Sequence, residues 1–303
     1  MSNFEPFFDA DDLTACVNAD STPAQLNAQG APDHAWFPLY LDPDQSFAEL
    51  FLHARFSSRS FRFGSLGDNV LGLRWQLPNG RVVDFGGRVV KNVVGFDFIR
   101  FLSNSQGRFG RPQTLVLRLR PRAIAERVLR FSGPWDSLQK LARIVRASSW
   151  AHAIDALDLF SDGKTAGLYV SFTAKPGLLP LFDSEAERWA DQSSAKLERV
   201  EGLHARNAQP WARLQATQDM AVHLAEAWTR AHGVSVSAFL GQGLLQIESA
   251  PADEAKALAM LAHMKDRLAL VGGHIEHPAL PPDASAPQTR WEAELLASLG
   301  APL

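Results

Sequence analysis

Up to Pro121 the apolar positions come in short alternating runs, the period of a half-buried strand. Residues 12–19 (DLTACVNA) and 69–87 (NVLGLRWQLPNGRVVDFGG) both alternate. In the second run the Pro78-Asn79-Gly80 triplet separates two β-rich arms and predicts a hairpin. Residues 114–122 (TLVLRLRPR) alternate strictly until proline stops them, which predicts a strand with a buried face and an arginine-bearing outer face. Between the strands, STPAQLNAQG predicts a short helix with Ser21 or Thr22 as N-cap, Pro23 in the first turn and Gly30 closing it. QSFAELFLHARF contains no glycine and predicts another helical segment.

Beyond Pro121 the period lengthens. After a strand ERVLRFSG, Leu138, Leu141, Ala142 and Val145 recur at helical spacing. AIDALDLF and AGLYVSFT flank the turn SDGKT as a hairpin, and DSEAERWADQSSAK resumes helix. A long helix is expected from about Ala208 to Ala231. The scheme then repeats, with VSVSAFL and GLLQIES as strands, ADEAKALAMLAHMKDRLAL as a helix and VGGHIEH after it. HPALPPDASAP reads as a loop and RWEAELLASLG as a final docking helix. These proportions give an α+β class with two domains, 1–123 and 124–303, the second a sheet with helices on one face.

Composition narrows the function. With 303 residues, 46% of them hydrophobic, the chain can bury a substantial core. No apolar run reaches the roughly 18 residues of a membrane span and the start lacks a signal-peptide pattern, so a cytoplasmic location is expected. The single cysteine, Cys16, rules out an internal disulfide framework and a cysteine-rich iron–sulfur site; its alternating surroundings predict a buried strand thiol. The net charge of −3 conceals an asymmetry: nine acids and no Lys or Arg in the first 49 residues, then thirteen basic residues against three acids from Arg55 to Arg122. Those arginines are spread through apolar sequence with no RNA-binding or helix-turn-helix signature, which argues for mutual neutralisation within one fold rather than a nucleic-acid partner.

The stretch with most chemical content is GGRVVKNVVGFDFIRFLSNSQGRFG, with glycine at 86, 87, 95, 107 and 110. Such spacing fits either a cofactor cradle or a set of tight turns. Lys91 and Asp97 fit an ion pair or a ligand contact. His274 and His277 in GGHIEHPAL fit a surface turn better than a metal site, and His53 a partly buried helical position. No nucleophile elbow, zinc-protease helix or phosphate-binding Walker loop is present. The eight tryptophans are scattered and read as packing and interface anchors.

From residue 64 to 122 the sequence resembles the FAD-binding subunit of bacterial glycolate oxidase, within the vanillyl-alcohol oxidase and p-cresol methylhydroxylase type of FAD-linked oxidases. The residues that carry the likeness are Asp68-Asn69-Val70-Leu71-Gly72, Gly86-Gly87, Lys91-Asn92, Gly95-Phe96-Asp97 and the turn Asn104 to Gly110. The resemblance implies the second subdomain of an FAD-binding domain, followed by a smaller α+β domain. It also implies FAD as cofactor, with Lys91, Asn92, Gly95, Asp97, Ser105, Gly107 and Gly110 as its contacts, and no identified catalytic base. Partners implied are a flavin-bearing catalytic subunit and an iron–sulfur subunit.

Three departures from the family pattern point to a degenerate flavin site. The family's N-terminal subdomain, whose glycine-rich loop holds the FAD diphosphate, has no counterpart before the strand at residues 12–19, which reads as an N-terminal truncation. Its second diphosphate loop, of T-[IL]-G-G type, corresponds to Ser46-Phe47-Ala48-Glu49, with a carboxylate facing an anionic ligand. Arg108 replaces a small threonine, and Phe96 a tyrosine. The expectation is an oxidase subunit that works mainly as a binding or structural component. The alternative is an active FAD-dependent oxidoreductase acting on a small 2-hydroxy acid.

Overall fold

The computed structural model describes residues 4–39, 41–53, 57–87, 97–122, 125–203, 210–271 and 273–280. They form two compact units. The first takes the described residues up to Ser57 together with Phe63–Arg122; the second takes Ser58–Arg62 and the described residues from 125 to 280.

Unit 1 begins with β1 (Phe7–Asp9), β2 (Thr14–Asn18), α1 (Pro23–Gly30), β3 (Ala35–Trp36) and α2 (Phe47–Leu52). After the short α3 (Ser60–Phe63), of which only Phe63 belongs to this unit, come β4 (Val70–Gln76), β5 (Val82–Gly86), α4 (Phe98–Leu102), β6 (Arg111–Arg118) and β7 (Arg120–Pro121). A five-stranded antiparallel sheet runs in the order β1-β2-β6-β4-β5, and β3 pairs with β7 separately. The alternation of β6 is realised: Leu115, Leu117 and Leu119 enter a core with Leu73, Trp75, Phe47, Leu50 and Phe51. Val116 turns to the opposite face, where it packs with Cys16, Leu71 and Phe4, so the thiol is buried.

α1 starts where its sequence says. Thr22 is the N-cap, its hydroxyl accepting from the Gln25 amide while the Gln25 side chain accepts from the Thr22 amide, and Pro23 opens the first turn. Replacing Thr22 with alanine is expected to lower stability by about 1 kcal/mol, read from urea unfolding, with Thr22→Ser close to neutral.

Unit 2 contains β8 (Ala125–Ser132), α5 (Trp135–Ala147), β9 (Ile154–Ser161), β10 (Ala166–Ala174), α6 (Leu179–Ser193) and β11 (Lys196–Val200). It continues with β12 (Ala212–Gln215), α7 (Gln218–His232), β13 (Val236–Phe239), β14 (Leu244–Ile247), α8 (Glu254–Ala269) and β15 (His274–Glu276). The same β-α-β-β-α-β sequence thus occurs twice. The sheet order, β11-β8-β10-β9-β13-β14-β12-β15, is that of two mirror-ordered halves. They join through β9 and β13, with Leu159 opposite Ala238. Leu129, Phe131, Leu157, Leu159, Leu168, Val170, Val236, Leu245 and Ile247 share one core with Leu138, Leu141, Phe182, Trp189, Trp228 and Leu261 from the helices, so the helices cover one sheet face.

The long helix expected from 208 is corrected: Ala212–Gln215 is a strand. Its alternation puts Ala212 and Leu214 into the core. Helix begins only after Thr217, whose hydroxyl accepts from the Met220 amide. Both edge strands of this sheet are short and charged, with Lys196, Glu198 and Arg199 on β11 and Glu276 on β15, which discourages further strand pairing. The expected terminal helix at 290–300 lies outside the described residues.

Candidate functional site

The residues matched to the flavin pattern lie on unit 1, around α2, the β4–β5 hairpin and the turn after α4. Asp68, first of the D-N-V-L-G run, accepts from the Ser65 amide at 2.8 Å and the Ser65 hydroxyl at 2.7 Å, and pairs with Arg100 at 2.7 Å. Burial pushes the Asp68 carboxyl up, but the Ser65 hydrogen bonds and Arg100 outweigh it and hold the group below its ordinary value of 3.8. The neighbouring Asn69 side chain donates to the Phe63 and Ser65 carbonyls, both at 2.8 Å. The motif's polar residues therefore fasten the turn into β4. A carboxyl with a lowered folded value supports stability above 3.8 and loses that contribution as pH falls through the lowered value. Asp68→Asn is accordingly expected to cost roughly 1 kcal/mol at neutral pH and progressively less in acid, measured by thermal unfolding across pH.

The glycines divide into two kinds. A Cβ on Gly86, at φ +66°, would lie 2.2 Å from the Leu71 carbonyl oxygen, and one on Gly110, at φ +113°, 2.0 Å from that of Gln76. Both are close crossings of the protein's own backbone. Among the described residues Gly87 has no neighbour within 4 Å of a would-be Cβ, and Gly107 meets only the Gly110 carbonyl oxygen at 3.9 Å. Among the described residues nothing crowds these two. An open cavity of about 440 Å³ lies beside Gly107, bounded also by Gln76, Pro78, Gly80, Gly110 and Arg111.

The turn from Asn104 to Gly110 is built from left-handed residues, Asn104 (φ 64°), Gln106 (φ 54°) and Gly107 (φ 77°). Its amides do not converge on one point. Those of Asn104 and Gln106 donate at 2.9 Å to the Phe51 and Leu52 carbonyls at the C-terminal end of α2. The Arg108 and Gly110 amides close the turn onto Ser105 and Gly107. The Arg108 side chain folds back, with Nε 3.3 Å from the Ser105 carbonyl and its guanidinium over Phe109. Trp75 Nε1 donates to the Phe109 carbonyl at 2.7 Å, which anchors the turn to β4. Ser105 is buried and its hydroxyl has no hydrogen-bond partner among the described residues.

The start of α2 carries Ser46-Phe47-Ala48-Glu49. Here the Phe47 amide donates to the Ser21 carbonyl and the Ala48 amide to the Ala19 carbonyl, both at 2.8 Å. The Glu49 amide donates to the Ser46 hydroxyl at 3.2 Å, and the Leu50 amide to the Ser46 carbonyl at 3.0 Å. All four first-turn donors are thus engaged inside the protein. The Glu49 carboxylate sits in the first turn, where negative charge complements the helix dipole, and pairs with His53 at 3.3 Å. No sequence signal announced the Ala19 and Ser21 acceptors, because they are backbone groups placed by the fold.

Of the sequence-derived contacts, Asp97, Ser105, Gly107 and Gly110 lie on or next to α4 and its following turn, while Lys91, Asn92 and Gly95 lie outside the described residues. The proposed Lys91–Asp97 pair falls there with them. Asp97 is the N-cap of α4, accepting from the Arg100 amide at 3.2 Å, with the Arg100 guanidinium 3.4 Å away. Among the described residues no cluster of His, Cys, Asp and Glu could hold a metal, and no helix is long and apolar enough to cross a membrane.

No sequence-family profile matches the chain. Among solved structures, an alkyldihydroxyacetonephosphate synthase superposes on 97% of the chain with TM-score 0.60 at 11% identity, over 62% of its own length. A grass pollen allergen with glucose dehydrogenase activity superposes on 86% with TM-score 0.59 at 14% identity, over 64% of its length. The chain shares the fold of these proteins over the parts matched.

Sequence similarity is partial and points the same way. A mitochondrial D-lactate dehydrogenase (cytochrome) of Arabidopsis thaliana is 34% identical over 84 residues, and glycolate oxidase subunit GlcD of Bacillus subtilis 29% identical over 120. An FAD-linked oxidoreductase of Mycobacterium tuberculosis is 33% identical over 64. These matches take in 28%, 40% and 21% of this chain but only 15%, 25% and 14% of the relatives. They support a relation to the FAD-linked oxidases and single out no particular subunit.

Proposed function

We propose that this protein is a glycolate-oxidase-like subunit of an FAD-linked oxidoreductase complex whose own flavin site is degenerate, so that it serves mainly as a binding or structural component. One observation carries the reading. The amides of Phe47, Ala48 and Glu49, at the position of the family's second diphosphate loop, all donate to acceptors within the chain. A diphosphate placed there would have to displace those bonds while approaching the Glu49 carboxylate, and charge-assisted bonds of about 1.5–3 kcal/mol each would be missing from its binding. Partners of flavin-bearing and iron–sulfur type are part of the proposal, drawn from the glycolate oxidase likeness.

A second reading has support in the open faces of Gly87 and Gly107, the cavity beside Gly107 and the oxidase names of the relatives. In it the chain binds FAD through Lys91, Asn92, Gly95, Asp97, Ser105, Gly107 and Gly110 and oxidises a small 2-hydroxy acid. FAD would supply hydride acceptance; the chain's residues would hold and orient it. Affinity purification from the native cell followed by gel filtration separates the two. The first reading expects a colourless chain when isolated and flavin absorbance only in fractions containing other subunits. Flavin absorbance that follows the isolated chain itself would support the second and overturn the first.

A further inference from the structure

Asn79-Gly80, at the tip of the β4–β5 hairpin, is the one Asn-Gly pair in the sequence. The hairpin closes with the Leu77 amide donating to the Arg81 carbonyl at 2.8 Å and the Gly80 amide to the Leu77 carbonyl at 2.9 Å. Gly80 takes φ +83°, and among the described residues no atom lies within 4 Å of a Cβ built on it. Asn79 is exposed, and its Oδ1 accepts from the Arg81 amide at 3.0 Å.

A side-chain carbonyl one bond from the main chain can be attacked by the next residue's amide nitrogen, and by sequence Asn104-Ser105 and Asp162-Gly163 come next for this reaction. The fold restrains both. Ser105 is buried and carries a side chain, and its amide donates to the Leu102 carbonyl at 3.2 Å while the Asn104 amide is held by Phe51. A Cβ on Gly163 would lie 2.2 Å from the Gly233 carbonyl oxygen, so its main chain is pressed against another segment. The Asp162 carboxyl accepts from the Thr165 amide at 2.7 Å and the Lys164 amide at 2.9 Å. Those bonds hold it below its ordinary value of 3.8, and an ionised carboxyl resists nucleophilic attack.

We propose that Asn79 is a site of spontaneous deamidation that outpaces these two positions and gives the β4–β5 turn a carboxylate. The Gly80 amide nitrogen, having lost its proton to solvent base, attacks Asn79 Cγ. The new C–N bond closes a five-membered succinimide as the Cγ–Nδ2 bond breaks, and the side-chain nitrogen leaves as ammonia with a proton returned from water. Water then opens the ring at either carbonyl, giving aspartate or iso-aspartate with no change of oxidation state. Glycine favours the closure because it has no side chain to obstruct the approach and leaves its main chain free to rotate towards Cγ. The Arg81 amide on Oδ1 stabilises the negative charge that develops on that oxygen during attack. The bond from Gly80 to Leu77 must open first, but it lies in an exposed turn, where local opening costs little. Either product sits between Pro78 and Gly80, which bound the cavity beside Gly107 together with Arg111. A carboxylate there opposes an anionic occupant of that cavity, and the iso-aspartyl form adds a methylene to the main chain of the turn.

Peptide mapping by mass spectrometry of the full chain held at mildly alkaline pH, with a synthetic peptide of residues 75–83 in the same buffer, tests this. Position 79 is expected to convert within about ten-fold of the peptide's rate and at least about ten-fold faster than Asn104 or Asp162. Its products should be aspartate and iso-aspartate together, the mark of a succinimide. Asn79→Gln should abolish conversion at the turn and leave the other positions as they were. Gly80→Ala should slow conversion in the peptide as well as in the chain, so that a folding defect does not decide the result. Conversion at Asn104 or Asp162 ahead of Asn79 would overturn the proposal. So would an intact Asn79 in the chain once the peptide has been fully converted.

Discussion

Gly110→Ala is expected to destabilise unit 1 by about 3–5 kcal/mol, combining backbone strain at positive φ with a side-chain carbon forced onto another strand. The residue sits at φ +113°, and the added Cβ would meet the Gln76 carbonyl oxygen at 2.0 Å and Trp75 Nε1 at 2.8 Å. Neither neighbour can move, because Gln76 lies in β4 and the Trp75 indole is fully buried and hydrogen-bonded to the Phe109 carbonyl. Total domain stabilities are only about 5–15 kcal/mol, so the variant should lose much of its folded population near physiological temperature. Gly87→Ala, with nothing within 4 Å among the described residues, should stay within about 0.5 kcal/mol of wild type. Urea unfolding followed by tryptophan fluorescence measures both. Equal stability of Gly110→Ala and wild type would mean that the close crossing of β4 is not what requires glycine there.

The second large effect concerns charge. Arg62→Ala is expected to cost about 3 kcal/mol at neutral pH, because it leaves the enclosed Asp155 carboxylate without its arginine, whereas Asp155→Asn should be neutral or stabilising. The direction of the Asp155 shift supplies a pH signature. Its folded value lies above 3.8, with burial the main cause, so the folded chain takes up this proton before the unfolded chain does. Stability contributed by the group is therefore present below 3.8 and is lost as pH rises through the raised value. The penalty of Arg62→Ala should shrink correspondingly in acid, where the stranded carboxyl becomes neutral. Unfolding free energies of both variants across pH check this, and a penalty independent of pH would contradict it.

Much of the fold was legible because it rests on local pattern. The leucines of β6, the helical spacing on α5, the Pro78-Asn79-Gly80 turn and the Thr22 cap each encode their element within a few residues. The strand at Ala212–Gln215 was misread because its four residues merge with a helix-forming run, and only pairing to β14 and β15 makes it a strand. The motif around Gly86 and Gly110 was visible as a pattern, but glycine spacing alone does not distinguish a ligand's approach from a backbone crossing. The decisive acceptors, the carbonyls of Ala19, Ser21, Phe51 and Leu52, carry no side-chain signature at all. The same applies to the two ion pairs of the Ser58–Arg62 segment. Arg59 and Arg62 looked like members of a dispersed basic block, and their carboxylates lie 67 and 93 residues further on.

The backbone donors at the start of α2 are committed to the protein itself. Isothermal titration of the isolated chain with FAD, with amide exchange of Phe47, Ala48 and Glu49 followed in the same samples, tests it most directly. No saturable binding tighter than about 100 μM and unchanged exchange at those three amides are expected. A dissociation constant near or below about 1 μM, accompanied by altered exchange at all three, would contradict it.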